Sequence, residues 1–257
     1  MAASWRAIIL AAGRGPDDPM AKGFGVAHKC TIPLLGRPML DYVTEALRGT
    51  GVATPYVISI DDLSVLPPDP ANRTVLKSGR SAPESALQAV ANIGTYPILI
   101  TTGDHPLLTP DMVNYMLKEA DESRADILIG LATAETILAE YPDTKRTWFN
   151  LGGTRVSGCN LFAVKNANGL RLLTAWQDLE RNRKKPWKLV FAFGLTPLLL
   201  FVLGKLTPER AFAHVSKRLG ITVGPVFLPF AEAAIDVDKP SDYALAEAIL
   251  KRRSAPA

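Results

Sequence analysis

The stretch AIILAAGRGPDDPMAKGFGVAHK, residues 7–29, joins a short apolar run to a glycine-rich loop that ends on a lysine. The apolar run breaks at Gly13, and the loop contains four glycines and two prolines. In an open α/β sheet, ligands bind at the carboxyl ends of the strands, and glycines let them approach the backbone closely. The stretch therefore predicts either an anion-binding loop, to which Arg14 and Lys29 add positive charge, or an ordinary strand-to-loop turn.

Short apolar runs alternate with amphipathic segments along the rest of the chain. The predicted strands are 6–12, 55–60, 73–77, 97–102, 126–132, 159–164 and 224–230. The predicted helices are 38–49, 83–93, 110–121, 166–181 and 240–252. The first four strands are near-continuous apolar runs, which is typical of a parallel sheet covered by helices on both faces. The sequence therefore predicts an α/β fold, a three-layer α/β/α sandwich with a Rossmann-like, mainly parallel sheet, formed as one domain over residues 1–257.

The composition excludes several classes of protein. The chain has 257 residues, of which 47% are hydrophobic, so a full core can form and disorder is not expected. Its net charge is +4, without the dense basic patch and interleaved aromatics of a nucleic-acid-binding protein. Cys30 and Cys159 are its two cysteines, which predicts neither a disulfide framework nor a zinc site. The first ten residues lack the pattern of a signal peptide, so we expect a cytoplasmic protein.

Two acidic segments follow the glycine-rich loop. In ILITTGDHPLLTPDM, Asp104 comes directly after a predicted strand, where it either binds Mg²⁺ or caps the turn before Thr109. In AAIDVDKPSDYALAEAIL, a predicted short strand directs Asp236 and Asp238 to the same side and a helix follows. The two segments are therefore candidates for supplying carboxylates to one site.

The arrangement LAAGRG…K…PLLGRPML, which lies within residues 10–40, resembles the opening signature of the pyrophosphorylase-type nucleotidyltransferases. Within this class, the chain is similar to the MobA-like NTP transferases and their cytidylyltransferase relatives. The resemblance implies a GT-A-like nucleotidyltransferase fold. It further implies that the nucleotide base and sugar lie against Leu10, Ala11, Ala12 and Gly13.

The resemblance also implies which residues bind the triphosphate and the metal ion. Arg14 and Lys29 are expected at the triphosphate. The family's arginine is replaced here by Asp17, so Arg14 or Lys22 takes over its charge. Asp104 occupies the family's metal-binding position, which favours Mg²⁺ over the capping role.

The C-terminal acidic segment resembles the D-x-D-x-P-x-D ending of the MobA-like proteins. Related sugar-phosphate pyrophosphorylases place their second metal ligand at the position of Asp236, and the methylerythritol cytidylyltransferases carry a lysine there. Asp238 and Asp242 are expected to be a helix N-cap and a first-turn charge.

Two further segments resemble parts of the same site. Gly79 and Ser85 have the spacing of the base-recognition loop of cytidylyltransferases, although Ser81 and Glu84 equally predict an ordinary capping box. The SGCN turn resembles the family's acceptor-side glycine and asparagine. Two adjacent cations suit an acceptor phosphate, although basic residues in a loop are more often only solvated. The candidate acceptor-binding residues are Lys145, Arg146, Gly158 and Asn160.

These motifs imply a Mg²⁺-dependent nucleotidyltransferase that moves an NMP, with CMP or GMP favoured, from an NTP to a phosphorylated small molecule or lipid headgroup precursor. Pyrophosphate is the other product. A glycosyltransferase that uses a nucleotide sugar is an alternative, but such enzymes place a D-x-D pair after a middle strand, where this chain has Gly-Asp-His. A non-catalytic nucleotide-binding regulator is the second alternative.

One segment has no place in these motifs. Basic residues dominate 181–188, and an apolar run of 15 residues follows at 189–203. Because a membrane-spanning helix needs roughly 20 residues, this run predicts no such helix. We expect a helical insertion or arm over 181–222 that forms a buried hairpin or a homodimer interface. The alternative is that 181–206 makes a peripheral contact with an anionic membrane.

Overall fold

A computed structural model describes residues 4–13, 15, 17–181, 200 and 204–254. Arg14 and most of the segment 181–206, including nearly all of its apolar run, therefore lie outside the described residues. The strands are β1 Arg6–Leu10, β2 Pro33–Leu34, β3 Arg37–Pro38, β4 Ala53–Ile60, β5 Arg73–Lys77, β6 Ile98–Thr102, β7 Ile127–Thr133, β8 Phe149–Leu151, β9 Thr154–Val164 and β10 Val223–Phe227. The helices, numbered as described, are α1 Pro19–Gly23, α2 Met39–Arg48, α3 Ala82–Ile93, α4 Pro110–Glu122, α5 Ala134–Glu140, α6 Leu170–Arg181, α7 Pro208–Leu219 and α8 Pro240–Ser254.

Eight strands form the central sheet in the order β10-β7-β9-β6-β1-β4-β5, and β8 pairs with β9. β10 and β7 are parallel, as are β6, β1, β4 and β5. β9 runs antiparallel between β6 and β7. β2 and β3 form a small separate hairpin. The predicted mainly parallel sheet is confirmed.

Helices cover both faces of this sheet. Ile9 of β1 belongs to the core cluster that contains residues of α2 and α4. Its neighbours Ile8 and Leu10 belong to the opposite cluster, which contains α3, Leu173 of α6 and the partly buried apolar residues of α7. Because consecutive residues of β1 are buried on opposite faces, the strand has to be apolar throughout. This arrangement confirms the predicted α/β/α sandwich.

The predicted start of α4 is also confirmed. Thr109 caps α4 and Pro110 is its first residue, as the sequence predicts. Cys30 and Cys159 are free and buried. The described end of the predicted 181–222 arm contains α7, which packs on β10. No helix within the described part of the chain is long and apolar enough to cross a membrane.

The register of the central sheet brings the loops after β1, β4 and β6 to the same carboxyl edge. Leu10, the last residue of β1, pairs with Ser59 near the end of β4 and with Thr102 at the end of β6. The loops that follow these three parallel strands therefore emerge side by side. These loops contain Gly13, Asp61 and Asp104, respectively.

Gly103 allows two of these loops to lie close together. Its N–H donates to the carbonyl oxygen of Leu10 at 2.9 Å. A Cβ atom at this position would lie 2.9 Å from the Cβ and 3.3 Å from the Cα of Ala11. Since both contacts are with short, rigid groups, a larger residue has to push β6 away from β1.

We therefore expect Gly103→Ala to be destabilised by about 1–3 kcal/mol, the usual cost of overpacking a core. For a chain of this size, the melting temperature of the variant should be roughly 2–10 °C below that of the wild type. Gly51→Ala is the matched control, because a Cβ atom there meets nothing within 4 Å. Equal melting temperatures for the two variants would show that the β1–β6 approach is not tight.

Candidate active site

Lys29 lies between two carboxylates at the carboxyl edge of the sheet. Its Nζ is 2.7 Å from Oδ2 of Asp104 and 2.7 Å from Oδ1 of Asp238. The lysine begins a short 3-10 turn, Lys29–Thr31, that His28 caps. Burial alone lowers the pKa of Lys29, but Asp104 and Asp238 outweigh it, so the pKa is raised. The side chain is therefore a firmly charged ammonium, of which only 13% is exposed.

One carboxylate oxygen of Asp104 accepts no hydrogen bond from the described residues. Its Oδ1 is buried without a hydrogen-bond partner among the described residues, while Oδ2 accepts from Lys29. The backbone carbonyl of Asp104 accepts from the N–H of Val237 at 2.9 Å, which attaches the C-terminal acidic segment to this loop. A buried carboxylate oxygen with no donor is an unfavourable arrangement unless something else binds it.

Asp236 is the second carboxylate of the site. Burial raises its pKa, the nearby charges of Asp104 and Asp238 raise it further, and Arg146 opposes them. Asp104 and Asp238 therefore lie close enough to Asp236 to oppose its ionisation. Within the described part of the chain, no three His, Cys, Asp or Glu side chains form a group able to hold a metal ion by themselves.

The segment around Asp236 is not the short strand that the sequence predicts. A 3-10 helix, Ala231–Ala234, precedes it, and residues 235–239 form a loop. This loop pairs with Asp104 through one backbone hydrogen bond instead of joining the sheet. Asp238 is also not the cap of α8, which begins at Pro240; its carboxylate binds Lys29 instead.

Arg146 and Asn160 hold the carboxylate of Asp236 from two sides. Nη1 of Arg146 donates to Oδ1 at 2.8 Å, and Nδ2 of Asn160 donates to Oδ2 at 3.1 Å. Asn160 has a φ of 52°. It lies where the β7–β9 register shifts, so a bulge re-aims its side chain. A non-glycine residue in this conformation is strained, and such strain is commonly found at functional sites.

The predicted acceptor-binding residues are dispersed. The side chain of Arg146 is only 5% exposed and pairs with Asp236 and Asp242, so it does not extend into solvent. Lys145, its neighbour, is exposed. Gly158 is exposed, and a Cβ atom there would meet nothing within 4 Å. The structure therefore groups Arg146 and Asn160 around Asp236 and leaves Lys145 at the surface.

Asp61, which the sequence analysis did not identify, holds the glycine-rich loop in place through hydrogen bonds. Oδ1 of Asp61, after β4, accepts the N–H of Gly13 at 2.8 Å and contacts Nε2 of His28 at 2.7 Å. Nδ1 of His28 accepts the N–H of Cys30, which places the imidazole proton on Nε2, facing Asp61. Gly13 has to be small, since a Cβ atom would lie 3.0 Å from Nε2 of His28.

The other residues predicted at the nucleotide differ in exposure. Leu10 and Ala11 are buried, Ala12 is exposed, and Gly13 is half-buried. Beside them, an open pocket of about 560 Å³ is lined by Gly15, Ala27, His28, Asp61, Asp62, Leu63, Ser64 and Lys77. The signal for Asp61 is its position directly after the apolar run 55–60, since Asp104 was likewise identified as a carboxylate at the end of a predicted strand.

Two serines fix the loop after β5. Ser81 caps α3 by accepting the N–H of Glu84 at 3.4 Å. The hydroxyl of Ser85 accepts the N–H of Gly79 at 3.0 Å and donates to the carbonyl of Ser81. A Cβ atom on Gly79 would lie 2.6 Å from Cγ of Glu84. Ser85 therefore fixes the backbone of Gly79 at the mouth of the sheet, where a base contact stays a prediction.

Lys22 and His105, two titratable residues near the site, have other roles. Lys22, a candidate replacement for the family's arginine, pairs at the surface with Asp17 at 2.6 Å. His105 is fully buried, and its Nε2 lies 3.3 Å from the carbonyl of Glu232. Burial lowers the pKa of His105 to about 4, so the ring is neutral and supports the loop that carries Asp104.

Comparisons with known proteins find cytidylyltransferases among those similar to this chain. A 2-C-methyl-D-erythritol 4-phosphate cytidylyltransferase from Cereibacter sphaeroides is 32% identical over 161 residues, which are 59% of this chain and 64% of that enzyme. The chain thus spans less than two thirds of the length of the curated relatives it matches.

Solved structures share the fold over nearly the whole chain. A hypothetical transferase from Thermus thermophilus superposes with a TM-score of 0.79 at 29% identity, covering 94% of this chain and 100% of that one. The 2-C-methyl-D-erythritol 4-phosphate cytidylyltransferase from the same organism gives a TM-score of 0.57 at 17% identity, covering 97% and 100%. Residues 7–146, which carry the glycine-rich loop, Lys29 and Asp104, match the MobA-like NTP transferase domain, and the chain belongs to that family.

Proposed function

We propose that this protein is a Mg²⁺-dependent nucleotidyltransferase. It moves a nucleoside monophosphate from an NTP to a phosphorylated small molecule and releases pyrophosphate. The observation that carries the proposal is the convergence of one buried ammonium, Lys29, with Asp104 and Asp236 at the end of the glycine-rich loop. Such a set of charges suits a triphosphate and its metal ion.

The donor set fits Mg²⁺. The ion prefers oxygen ligands and is usually held by one or two carboxylates together with substrate phosphates. Asp104 offers a buried oxygen with no hydrogen-bond donor among the described residues, and the side chain of Asp236 is 27% exposed beside it. Asp104 and Asp236 would hold the ion, which when bound acts as a Lewis acid and template for the phosphate groups.

The protein's own residues contribute positioning and charge. An oxygen of the acceptor phosphate forms a bond to the α-phosphorus, while the bond to the bridging oxygen of the β-phosphate breaks and its electron pair leaves with pyrophosphate. The acceptor phosphate has a second pKa of about 6, so it is anionic at neutral pH and needs no protein base. Lys29, whose pKa is raised, remains charged and neutralises the departing pyrophosphate.

CTP is the nucleotide we favour, because the matching curated relatives are named cytidylyltransferases; GTP is the second choice. In a thermal-shift screen of the four NTPs with Mg²⁺, we expect CTP to stabilise the protein most. At 100 times its Kd, a ligand adds about 2.7 kcal/mol to the free energy of unfolding, which is readily measured. A largest shift with ATP or UTP would contradict the base assignment.

Pyrophosphate release tests the reaction class. We suggest 2-C-methyl-D-erythritol 4-phosphate as the first acceptor to assay, because the relatives' names include it; other sugar and polyol phosphates and lipid headgroup precursors come next. Acceptor-dependent pyrophosphate release separates this proposal from a regulator that only binds nucleotide. Transfer from a nucleotide sugar without pyrophosphate release would instead indicate a glycosyltransferase.

A further inference from the structure

The guanidinium of Arg146 spans two acidic groups behind the candidate metal site. Nη1 donates to Oδ1 of Asp236 at 2.8 Å and to the carbonyl of Ala234 at 3.3 Å. Nη2 donates to Oδ1 of Asp242. Only 5% of the Arg146 side chain is exposed, its two Nη atoms donate to acceptors of the chain itself, and its Nε is buried without a partner among the described residues. A residue so placed has little capacity left to bind an acceptor phosphate.

Asp242 anchors this arrangement. It lies in the first turn of α8 and is buried. Its Oδ1 pairs with Arg146, and its Oδ2 accepts the N–H of Asp238 at 3.2 Å. One carboxylate therefore fixes both the arginine and the loop that carries Asp236 and Asp238. Through Asp238 and Lys29, the network extends to Asp104.

The charges of this network explain why Arg146 needs two partners. Four carboxylates, Asp104, Asp236, Asp238 and Asp242, lie in this network with two largely buried cations, Lys29 and Arg146, and the half-exposed Lys239 lies 4.0 Å from Asp242. If Arg146 paired with Asp236 alone, it would neutralise the carboxylate that the metal ion needs. Sharing the guanidinium with Asp242 orients Asp236 and leaves part of its charge available.

We propose that Arg146 is a positioning residue that holds Asp236 ready to bind the metal ion, with Asp242 as its anchor. This inference rests on the proposed function, since it assigns Asp236 to the metal site. It replaces the sequence-based expectation that Arg146 contacts the acceptor phosphate. Groups that orient metal ligands from behind typically change metal affinity or activity 10–100-fold when they are substituted.

The test measures Mn²⁺ binding in the presence of CTP by the electron paramagnetic resonance signal of free Mn²⁺, without any turnover. Arg146→Lys keeps the charge but loses the planar fork that bridges two carboxylates. Asp242→Asn leaves one acceptor oxygen for two donors. We expect both variants to bind Mn²⁺ about 10–100-fold more weakly than the wild type.

Lys251→Gln is the matched control, because its ammonium is 60% exposed and pairs with Glu247 of the same helix. We expect its Mn²⁺ affinity to equal that of the wild type. Thermal unfolding of each variant, followed by circular dichroism, separates a lost ligand orientation from a lost fold.

The following outcomes would overturn the positioning role of Arg146. Wild-type Mn²⁺ affinity in folded Arg146→Lys and Asp242→Asn overturns the positioning role and leaves the proposed function standing. Loss of the fold in both variants makes Arg146 a structural residue and likewise overturns it. Absence of Mn²⁺ binding in the wild type with CTP overturns the proposed function together with this inference.

Discussion

Replacing Asp104 by asparagine should reduce nucleotidyl transfer by about 1,000-fold or more, because the neutral amide removes a carboxylate from the proposed metal site. The effect is expected to be this large because Oδ1 of Asp104 has no donor within the described structure and is thus free to bind the ion. Asparagine has nearly the same shape, and its carbonyl oxygen can still accept from Lys29. The fold should therefore remain intact.

Pyrophosphate release at saturating CTP and Mg²⁺ measures this effect, with the melting temperature recorded in parallel. Asp111→Asn is a suitable control, because this exposed aspartate lies in the first turn of α4, the helix that follows Asp104. Its turnover should match that of the wild type. Turnover by Asp104→Asn within tenfold of the wild type would remove Asp104 from the site.

The sequence predicted the sheet well because its inner strands are buried on both faces. A short run that is apolar at nearly every position, such as residues 6–12, is typical of a strand that is buried on both faces of a sheet. The carboxyl ends of such strands then indicate where ligands bind. Asp104 and Lys29 were found this way, and the structure places their side chains 2.7 Å apart although 75 positions separate them in the chain. Position at a strand end made Asp104 a candidate for either a metal ligand or a turn cap, and only the family resemblance favoured the metal. The lysine needed the loop motif.

The partners of the charged residues could not be predicted. Asp238 was expected to cap α8, but it binds Lys29, which is 209 positions away. Arg146 was expected to face an acceptor, but it is buried against Asp236 and Asp242. A single sequence shows which residues carry charge, whereas the pairing depends on how loops from different strands approach one another. The loop 235–239 was mistaken for a strand because its alternating aspartates fit a period of two.

The second large effect is expected for Lys29→Met, which should reduce turnover by about 100–1,000-fold, the usual cost of removing one electrostatic contact to a developing charge. Methionine is unbranched and of similar length, so the substitution removes the charge while filling most of the space. Without the ammonium, Asp104 and Asp238 lose the cation that each now contacts at 2.7 Å. In the variant without nucleotide, the negative charges of these two carboxylates are therefore no longer neutralised by a cation at position 29.

This loss makes the stability of Lys29→Met sensitive to Mg²⁺. A divalent ion can replace the missing ammonium between the aspartates, so we expect Mg²⁺ without nucleotide to raise the melting temperature of the variant more than that of the wild type. Lys251→Met is the matched control: its ion pair with Glu247 has the same 2.7 Å distance but lies on the exposed side of α8. That variant should show wild-type turnover and a wild-type response to Mg²⁺. If Lys29→Met behaves like this control in both measurements, Lys29 serves neither the phosphates nor the carboxylates, and the glycine-rich loop does not end in a catalytic cation.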